Sequence, residues 1–138
     1  MDLPFLDTNV VIRYLTQDDP DQSKRAKAIL DQVQAGKLQV TTSETVLGEL
    51  VFVLSSKRLY QLPREEIRLY LSAIIGMKGL RLANKRMYLR ALELYATLPR
   101  LDFADALSVA EMERRKLTTI ISFDEDFDGI EGITRREP

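Results

Sequence analysis

The sequence has 138 residues and a formal net charge of −1; 45% of its residues are apolar and 30% are charged. This length and balance predict a single globular domain, residues 1–138, with a sizeable apolar core. The chain contains no cysteine and no histidine, which excludes disulfides, zinc–thiolate sites, thiol nucleophiles and every Ser-His-Asp arrangement. Any catalysis must therefore use carboxylates, Lys, Tyr, Ser, Thr or a bound metal ion.

The charge and hydropathy also restrict the partners and the location of the protein. A near-neutral total shows no basic excess of the kind typical of nucleic-acid binding, although a local patch can lie within it. The longest uninterrupted apolar run, residues 50–54, is far too short to cross a bilayer. The N-terminus lacks the basic flank and small-residue cleavage site of a signal peptide. We therefore predict a soluble, cytoplasmic protein with no membrane partner.

The chain begins with a short apolar segment that ends in an acid. Residues 3–6 predict a short buried strand, and Asp7 follows where the apolar residues end. The residues after Asn9 predict a helix, which places the Asp7 carboxylate at the carboxyl edge of a sheet, where open α/β sheets bind ligands. Alternatively, Asp7 only caps that helix, although Thr8 and Asn9 are competent caps as well.

The rest of the chain alternates helical and strand patterns. Helices are predicted at about residues 20–35, 44–56, 63–75, 85–98 and 103–116, and strands at about 38–42, 80–82, 119–122 and 133–135. The helix at 44–56 is apolar on nearly every face, which is the pattern of a central, buried helix. Strands interleaved with helices predict a three-layer α/β/α domain with a short, mostly parallel central sheet.

Glu49 is an acid among apolar neighbours in the predicted helix at 44–56. The residues three and four positions away are Thr45, Val46, Phe52 and Val53, and no Lys or Arg lies within a helical turn. A carboxylate on such a surface is either desolvated, with a raised pKa, or paired with a cation. We favour these states over the alternative, an exposed Glu on a partly solvated helix.

Two acids, Asp102 and Asp105, lie at the start of the last predicted helix. Asp102 is positioned as a cap, and an acid three residues later imitates a capping box. Both acids also suit the positive end of the helix dipole. We predict that Asp102 caps the helix, whereas Asp105 lies within it, beside the apolar residues Ala106 and Leu107.

Three acids after the strand at 119–122 nearly spell a calcium-binding loop. Asp124, Asp126 and Asp128 are followed by Gly129, but Arg135 occupies the position of the bidentate Glu, which argues against an EF-hand. A solvated acidic turn accounts for Asp128 and Asp126. Asp124 differs, because it closely follows an apolar strand.

Four of these acids meet at one edge if the predicted strands are parallel: Asp7, Glu49, Asp105 and Asp124. Carboxylates gathered in one pocket repel one another strongly, and a divalent cation between them makes the arrangement sustainable. An all-oxygen site favours Mg²⁺ or Mn²⁺ over zinc or copper. Such ions generate hydroxide and stabilise the displaced oxygen in phosphodiester cleavage.

Four short motifs that contain these acids follow one another along the chain. They are Phe-Leu-Asp-Thr-Asn-Val, Ser-Glu-Thr-Val-Leu-Gly-Glu-Leu, Asp-Phe-Ala-Asp-Ala-Leu and Ser-Phe-Asp-Glu-Asp-Phe. Together they resemble the PIN-domain ribonucleases, most closely the bacterial VapC-type toxins. The resemblance covers nearly the whole chain, including its length and spacing, and implies a PIN-like fold.

The resemblance also implies a metal site. Asp7, Glu49, Asp105 and Asp124 match the acidic positions of the family and would bind one or two Mg²⁺ or Mn²⁺ ions. Asp126 is an alternative ligand, because an acid near the fourth position can substitute or assist. Asp102 lies outside the core of the match.

Further residues are expected around this site. Thr8 and Ser122 match small hydroxyl positions that support the site in the family, and we assign a supporting role to Asn9 as well. Because an acidic pocket repels RNA, cations must flank it. Arg13, one turn past Asn9, is the first candidate for a phosphate contact and the basic cluster at residues 24–27 is the second, with a solvated helix face as the alternative for both.

The family resemblance implies an activity and partners. In its mechanism, a metal-activated water attacks an RNA phosphodiester in line. VapC-type toxins generally form homodimers and are held inactive by a cognate antitoxin. We therefore predict a Mg²⁺- or Mn²⁺-dependent endoribonuclease that is the toxin of a toxin–antitoxin pair. The alternative is a catalytically silent PIN-like module that binds RNA or a protein.

Overall fold

The computed structural model describes residues 3–138 and divides into two compact units. The N-terminal unit extends to Lys85, and the C-terminal unit comprises Arg86–Pro138. The prediction of a single domain over residues 1–138 stays a prediction, and its first two residues lie outside the described part. Within residues 3–138, no helix combines the length and apolarity needed to span a membrane.

In its described part, from residue 3 onward, the N-terminal unit consists of four helices and two very short strands. Their bounds are α1 Thr8–Leu15, α2 Pro20–Gln34, β1 Val40–Thr41, α3 Glu44–Ser55, α4 Arg64–Ile75 and β2 Leu80–Arg81. Helix α1 packs against α2 and α3, and α3 packs against α4. The largest fully buried side chains of this unit are Leu30, Leu47, Leu50, Leu54, Ile67, Leu71, Ile75 and Leu80.

The helices of this unit begin at the predicted signals. The Asp19 side chain accepts a hydrogen bond from the backbone N–H of Gln22 at 3.0 Å, with Pro20 at the first helical position. The Ser43 hydroxyl caps α3 in the same way by accepting from the N–H of Val46 at 3.2 Å. Pro63 occupies the N-cap of α4 instead of its predicted first position.

The parallel pairing of this unit begins with the segment before Asp7. Phe5 forms a parallel bridge with Thr41, and the N–H of Leu6 donates to the Thr41 carbonyl at 2.8 Å. On its other side β1 pairs in parallel with β2, with Val40 opposite Leu80. The predicted sequence of extended segment, Asp7 and helix is therefore confirmed, with Asp7 after the carboxyl end of the extended segment.

The C-terminal unit has two helices, a short 3₁₀ helix and a parallel strand pair. The bounds are α5 Lys85–Thr97, which starts at the last residue of the first unit, α6 Phe103–Arg114, β3 Thr119–Ile121, the 3₁₀ helix Glu125–Phe127 and β4 Thr134–Arg136. Helices α5 and α6 are joined by an edge-to-face contact of Tyr95 and Phe103, with ring centroids 6.0 Å apart. Strands β3 and β4 pair in parallel.

Three apolar side chains that were predicted to be buried are exposed instead. The side chain of Phe5 is 57% exposed, that of Ile121 57% and that of Phe52 70%. The first two lie in segments predicted as buried strands, and Phe52 lies on α3, predicted to be buried on nearly every face. A strand of two or three residues is too short for the alternation of its side chains to show which of them are buried. In a helix that is apolar on every side, the sequence does not show which side faces the core.

Candidate functional site

Asp7 lies at the turn between the extended segment and α1. It occupies the N-cap position of α1, but its side chain accepts no capping hydrogen bond. Within residues 3–138 its exposed carboxylate makes neither a hydrogen bond nor an ion pair. The alternative in which Asp7 serves only as a helix cap therefore lacks the hydrogen bond that such a cap requires.

Thr8, the next residue, carries a buried hydroxyl with nothing to bind. Its side chain is 3% exposed, and Oγ1 has no hydrogen-bond partner in the described part of the chain. A buried hydroxyl left unsatisfied costs about 1–3 kcal/mol. Such a group next to an unpartnered carboxylate is the observation in the N-terminal unit that most favours a missing polar ligand.

Glu49 lies on an exposed stripe of α3. It is exposed, as are Thr45 and Phe52, which lie four residues before it and three residues after it. The prediction of a desolvated or cation-paired Glu49 is therefore wrong. The buried face of α3 is formed instead by Leu47, Leu50 and other residues that alternate with this stripe at helical spacing.

Asp102 and Asp105, at the start of α6, occupy the positions that were predicted for them. The Asp102 side chain accepts a hydrogen bond from the N–H of Asp105 at 2.8 Å, which confirms Asp102 as the cap. Burial raises the pKa of the Asp105 carboxyl, and the negative charges of Asp102 and Asp124 raise it further. The structure thus places Asp105 and Asp124, two predicted ligands, in electrostatic contact within the C-terminal unit.

Asp124 is held by its own loop after β3. Its N–H donates to Ser122 Oγ at 2.9 Å, and its carboxylate accepts from the N–H of Asp126 at 2.9 Å, which caps the 3₁₀ helix. Ser122 therefore orients the backbone that carries Asp124. The side chain of Asp126 is exposed, and its role as an alternative ligand stays a prediction.

Two arginines fix this loop from outside it. Arg100 donates from Nε to the Asp126 carbonyl and from Nη2 to the Asp128 carbonyl, both at 2.9 Å. Arg135 donates from Nη1 to the Ser122 carbonyl at 3.1 Å and forms a two-pronged ion pair with Asp128, at 2.8 and 3.2 Å. That guanidinium holds the pKa of the Asp128 carboxyl below its ordinary value.

The bracing role of these arginines was missed from the sequence. The sequence pattern placed Arg135 only at the last position of a calcium-loop motif, and it predicted no role for Arg100. The sequence offered one signal for Arg135. A cation seven residues after Asp128 cannot be a calcium ligand, but it can form an ion pair with that acid.

The structure brings two of the four predicted ligands close enough for their charges to interact. Asp105 and Asp124 interact within the C-terminal unit, and Asp7 and Glu49 both belong to the N-terminal unit. Within residues 3–138, no three acidic side chains form a group that could hold a metal ion. The four-carboxylate site therefore stays a prediction.

The available donors suit a hard divalent cation. They are carboxylate and hydroxyl oxygens, which Mg²⁺ and Mn²⁺ prefer. The pKa of the Asp105 carboxyl is raised chiefly by burial and further by the charges of Asp102 and Asp124, and a bound cation would offset these effects. The unpartnered Thr8 hydroxyl in the N-terminal unit is a second feature that a polar ligand would satisfy.

Asn9 and Arg13 line a cavity of about 480 Å³ between α1 and α2. Both were assigned from the sequence, as a supporting residue and a phosphate contact. Their placement in one cavity was not predicted, because the contribution of α2 to the lining depends on how the two helices pack.

The family model of the PIN domain matches residues 5–133 of the chain. The matched region contains every helix described above and every strand except β4. Together with the helices and short parallel strands, the match confirms the predicted PIN-like α/β/α fold. No curated protein matches the chain.

Proposed function

The chain belongs to the PIN domain family, a family of nucleases, and from this premise we propose that it is a Mg²⁺- or Mn²⁺-dependent endoribonuclease. The observation that carries this proposal is the environment of Asp105, whose carboxyl pKa is raised chiefly by burial and further by repulsion from Asp102 and Asp124. A protein that only binds a partner gains nothing from such repulsion, whereas a metal-binding nuclease requires acids that a cation can draw together.

In this proposal Asp7, Glu49, Asp105 and Asp124 hold the metal. A bound Mg²⁺ or Mn²⁺ supplies a water of lowered pKa and stabilises charge on the departing oxygen. Since the chain has no histidine, one of these carboxylates accepts the proton of the attacking water. Ser122 orients the backbone of Asp124, and Thr8 offers its buried hydroxyl to the same site.

We further propose that the protein is the toxin of a toxin–antitoxin pair of the VapC type, that it acts in the cytoplasm as a homodimer and that a cognate antitoxin inhibits it. The support is the order and spacing of the four sequence motifs. Co-purification with the product of a neighbouring gene, and loss of RNA cleavage when that product is added, would test this part.

The test of the enzymatic activity is RNA cleavage by the purified protein under three conditions. We expect cleavage with Mg²⁺, none with EDTA and none by D7N with Mg²⁺. Because the Asp7 side chain makes no hydrogen bond or ion pair within residues 3–138, D7N should melt at the wild-type temperature. Equal RNA degradation in all three samples would contradict the proposal and favour the silent RNA- or protein-binding module.

A further inference from the structure

The cavity between α1 and α2 combines charge and apolar surface in a way that the metal site does not use. Its volume of about 480 Å³ lies within the range of small-ligand sites. Helix α1 and helix α2 both contribute to it, and the lining residues are Asn9, Val10, Arg13, Gln22, Arg25, Ala26 and Ile29. The lining thus contains two guanidinium groups and two amides but no carboxylate.

Arg13 contributes a guanidinium group that is held in place through one nitrogen. Its Nε donates to Gln22 Oε1 at 2.8 Å, which ties the guanidinium to α2. Within residues 3–138 Arg13 forms no ion pair, so its terminal nitrogens have no carboxylate to neutralise them. A guanidinium held at Nε presents its remaining N–H donors as a fork, the geometry that phosphate oxygens accept.

Arg25 provides a second positive charge with little to compete for it. Its Nη1 lies 3.7 Å from Asp21 Oδ2, and the two side chains are 77% and 79% exposed. An ion pair this exposed contributes little energy. A phosphate entering the cavity therefore meets two available guanidinium groups.

The remaining surface of the cavity is apolar. Val10, Ala26 and Ile29 offer a hydrophobic floor between the polar groups. Inorganic anions gain nothing from such a floor, whereas a nucleotide unit can cover it with ribose or base while its phosphate binds the arginines. The combination indicates a ligand with both an anionic and an apolar part.

We propose that this cavity is an RNA subsite, in which one phosphate of the bound strand lies on Arg13 and Arg25 and the adjoining nucleoside covers Val10, Ala26 and Ile29. This inference rests on the proposed function, because it assigns the substrate strand of the same enzyme. Asn9, which lines the cavity, lies two residues after Asp7 in the chain. In this proposal the two arginines attract a strand that the acids would otherwise repel.

The test is binding of a short fluorescent single-stranded RNA, measured by anisotropy in EDTA so that cleavage cannot occur. We expect R13Q and R25Q each to weaken the affinity roughly tenfold at low salt. Each should also reduce the slope of log Kd against log salt by roughly 0.7, the value for one phosphate contact on a single strand. R13K retains the charge but lacks the fork, and should recover only part of the affinity.

The matched control is R58Q, which removes the same charge from an exposed turn outside the cavity. It should leave the affinity near that of the wild type. Because R25Q removes an exposed side chain, it remains informative if R13Q disturbs the packing of α1 on α2, which thermal unfolding will reveal.

The outcomes separate this inference from the proposed function. If the wild type cleaves RNA with Mg²⁺ but R13Q and R25Q bind it as R58Q does, the subsite is overturned, and the cavity is left to a protein or small-molecule ligand. If the arginine variants lose affinity and the wild type fails to cleave with Mg²⁺, the subsite is supported and the nuclease proposal fails.

Discussion

The two hydroxyl residues assigned to support the site, Thr8 and Ser122, are in opposite states. Ser122 Oγ accepts the N–H of Asp124 at 2.9 Å, whereas the Thr8 hydroxyl is buried without a partner in the described part of the chain. The acids beside them differ in the same way. Asp124 caps a 3₁₀ helix, and Asp7 makes no capping hydrogen bond.

The carboxylates of the two units therefore differ in whether local hydrogen bonds hold their side chains. In the C-terminal unit, Asp102 and Asp124 are fixed by local hydrogen bonds that also stabilise the fold. In the N-terminal unit, the side chains of Asp7 and Glu49 make no hydrogen bond or ion pair within residues 3–138. Substitution should therefore leave stability unchanged at Asp7 and Glu49, whereas removal of the capping oxygen should lower stability at Asp102 and Asp124.

The largest expected effect is the loss of cleavage in E49Q and in D105N, by roughly 100-fold or more if each acid holds the metal. E49Q should melt like the wild type, because Glu49 is exposed and unpaired within residues 3–138. Cleavage rates and thermal unfolding of the metal-free proteins check both statements. Wild-type activity in either variant would remove that residue from the site.

The stability of D105N should depend on pH differently from that of the wild type. The folded-state pKa of Asp105 lies above its ordinary value of 3.8, so the folded wild type binds more protons than the unfolded chain in that interval. Its stability therefore falls as the pH rises from the ordinary value through the raised one. D105N lacks this loss and should be the more stable protein at neutral pH, with the advantage disappearing in acid.

The next effect distinguishes the two roles of Asp124. D124N keeps a capping oxygen and should lose cleavage with little loss of stability, whereas D124A should lose cleavage and about 1 kcal/mol of unfolding free energy. Urea unfolding provides the comparison. D126A serves as the control, because the Asp126 side chain is exposed and caps nothing; a loss of cleavage in D126A would instead make Asp126 a ligand.

The contrast between the hydroxyls predicts stability changes of opposite sign. T8V removes an unsatisfied buried group and should raise the free energy of unfolding by about 1 kcal/mol. S122A removes a satisfied acceptor and should lower it by a similar amount, about 1 kcal/mol. Both should reduce cleavage. A less stable T8V would mean that the hydroxyl has a partner, such as a water molecule, in solution.

The smallest effect is expected for D102N. Asn retains the cap, so stability and cleavage should change little. Removing the charge of Asp102 should move the pKa of the Asp105 carboxyl back toward its ordinary value, since that charge is one cause of the rise. NMR titration of the Asp105 carboxyl carbon measures this shift. A large loss of cleavage would instead assign Asp102 to the site.

The helices and their starts could be predicted because their signals are local. Asp19, Ser43 and Asp102 each accept a hydrogen bond from the N–H three residues later, and a cap of this kind requires only the right residue at the right spacing. Periodicity then gave most helix lengths to within one or two residues.

Burial and longer-range contacts could not be predicted in this way. Glu49 and Phe52 share the exposed stripe of α3, but the uniform apolarity of that helix does not reveal which side faces outward. The arginines of the Asp124 loop bind main-chain carbonyls, and Arg100 lies 26 residues from Asp126. A contact with backbone leaves no residue-type pattern at the receiving position, so only the folded arrangement reveals it.

The hydrogen bonds from Arg100 and Arg135 to main-chain carbonyls affect how the sequence of the Asp124 loop can evolve. Three of the positions they hold, Ser122, Asp126 and Asp128, are bound through carbonyl oxygens that every amino acid carries. Exposed side chains between these anchors, such as Phe123 and Glu125, can therefore change without loosening the segment. The loop can acquire new residues at these positions while Asp124 stays in place.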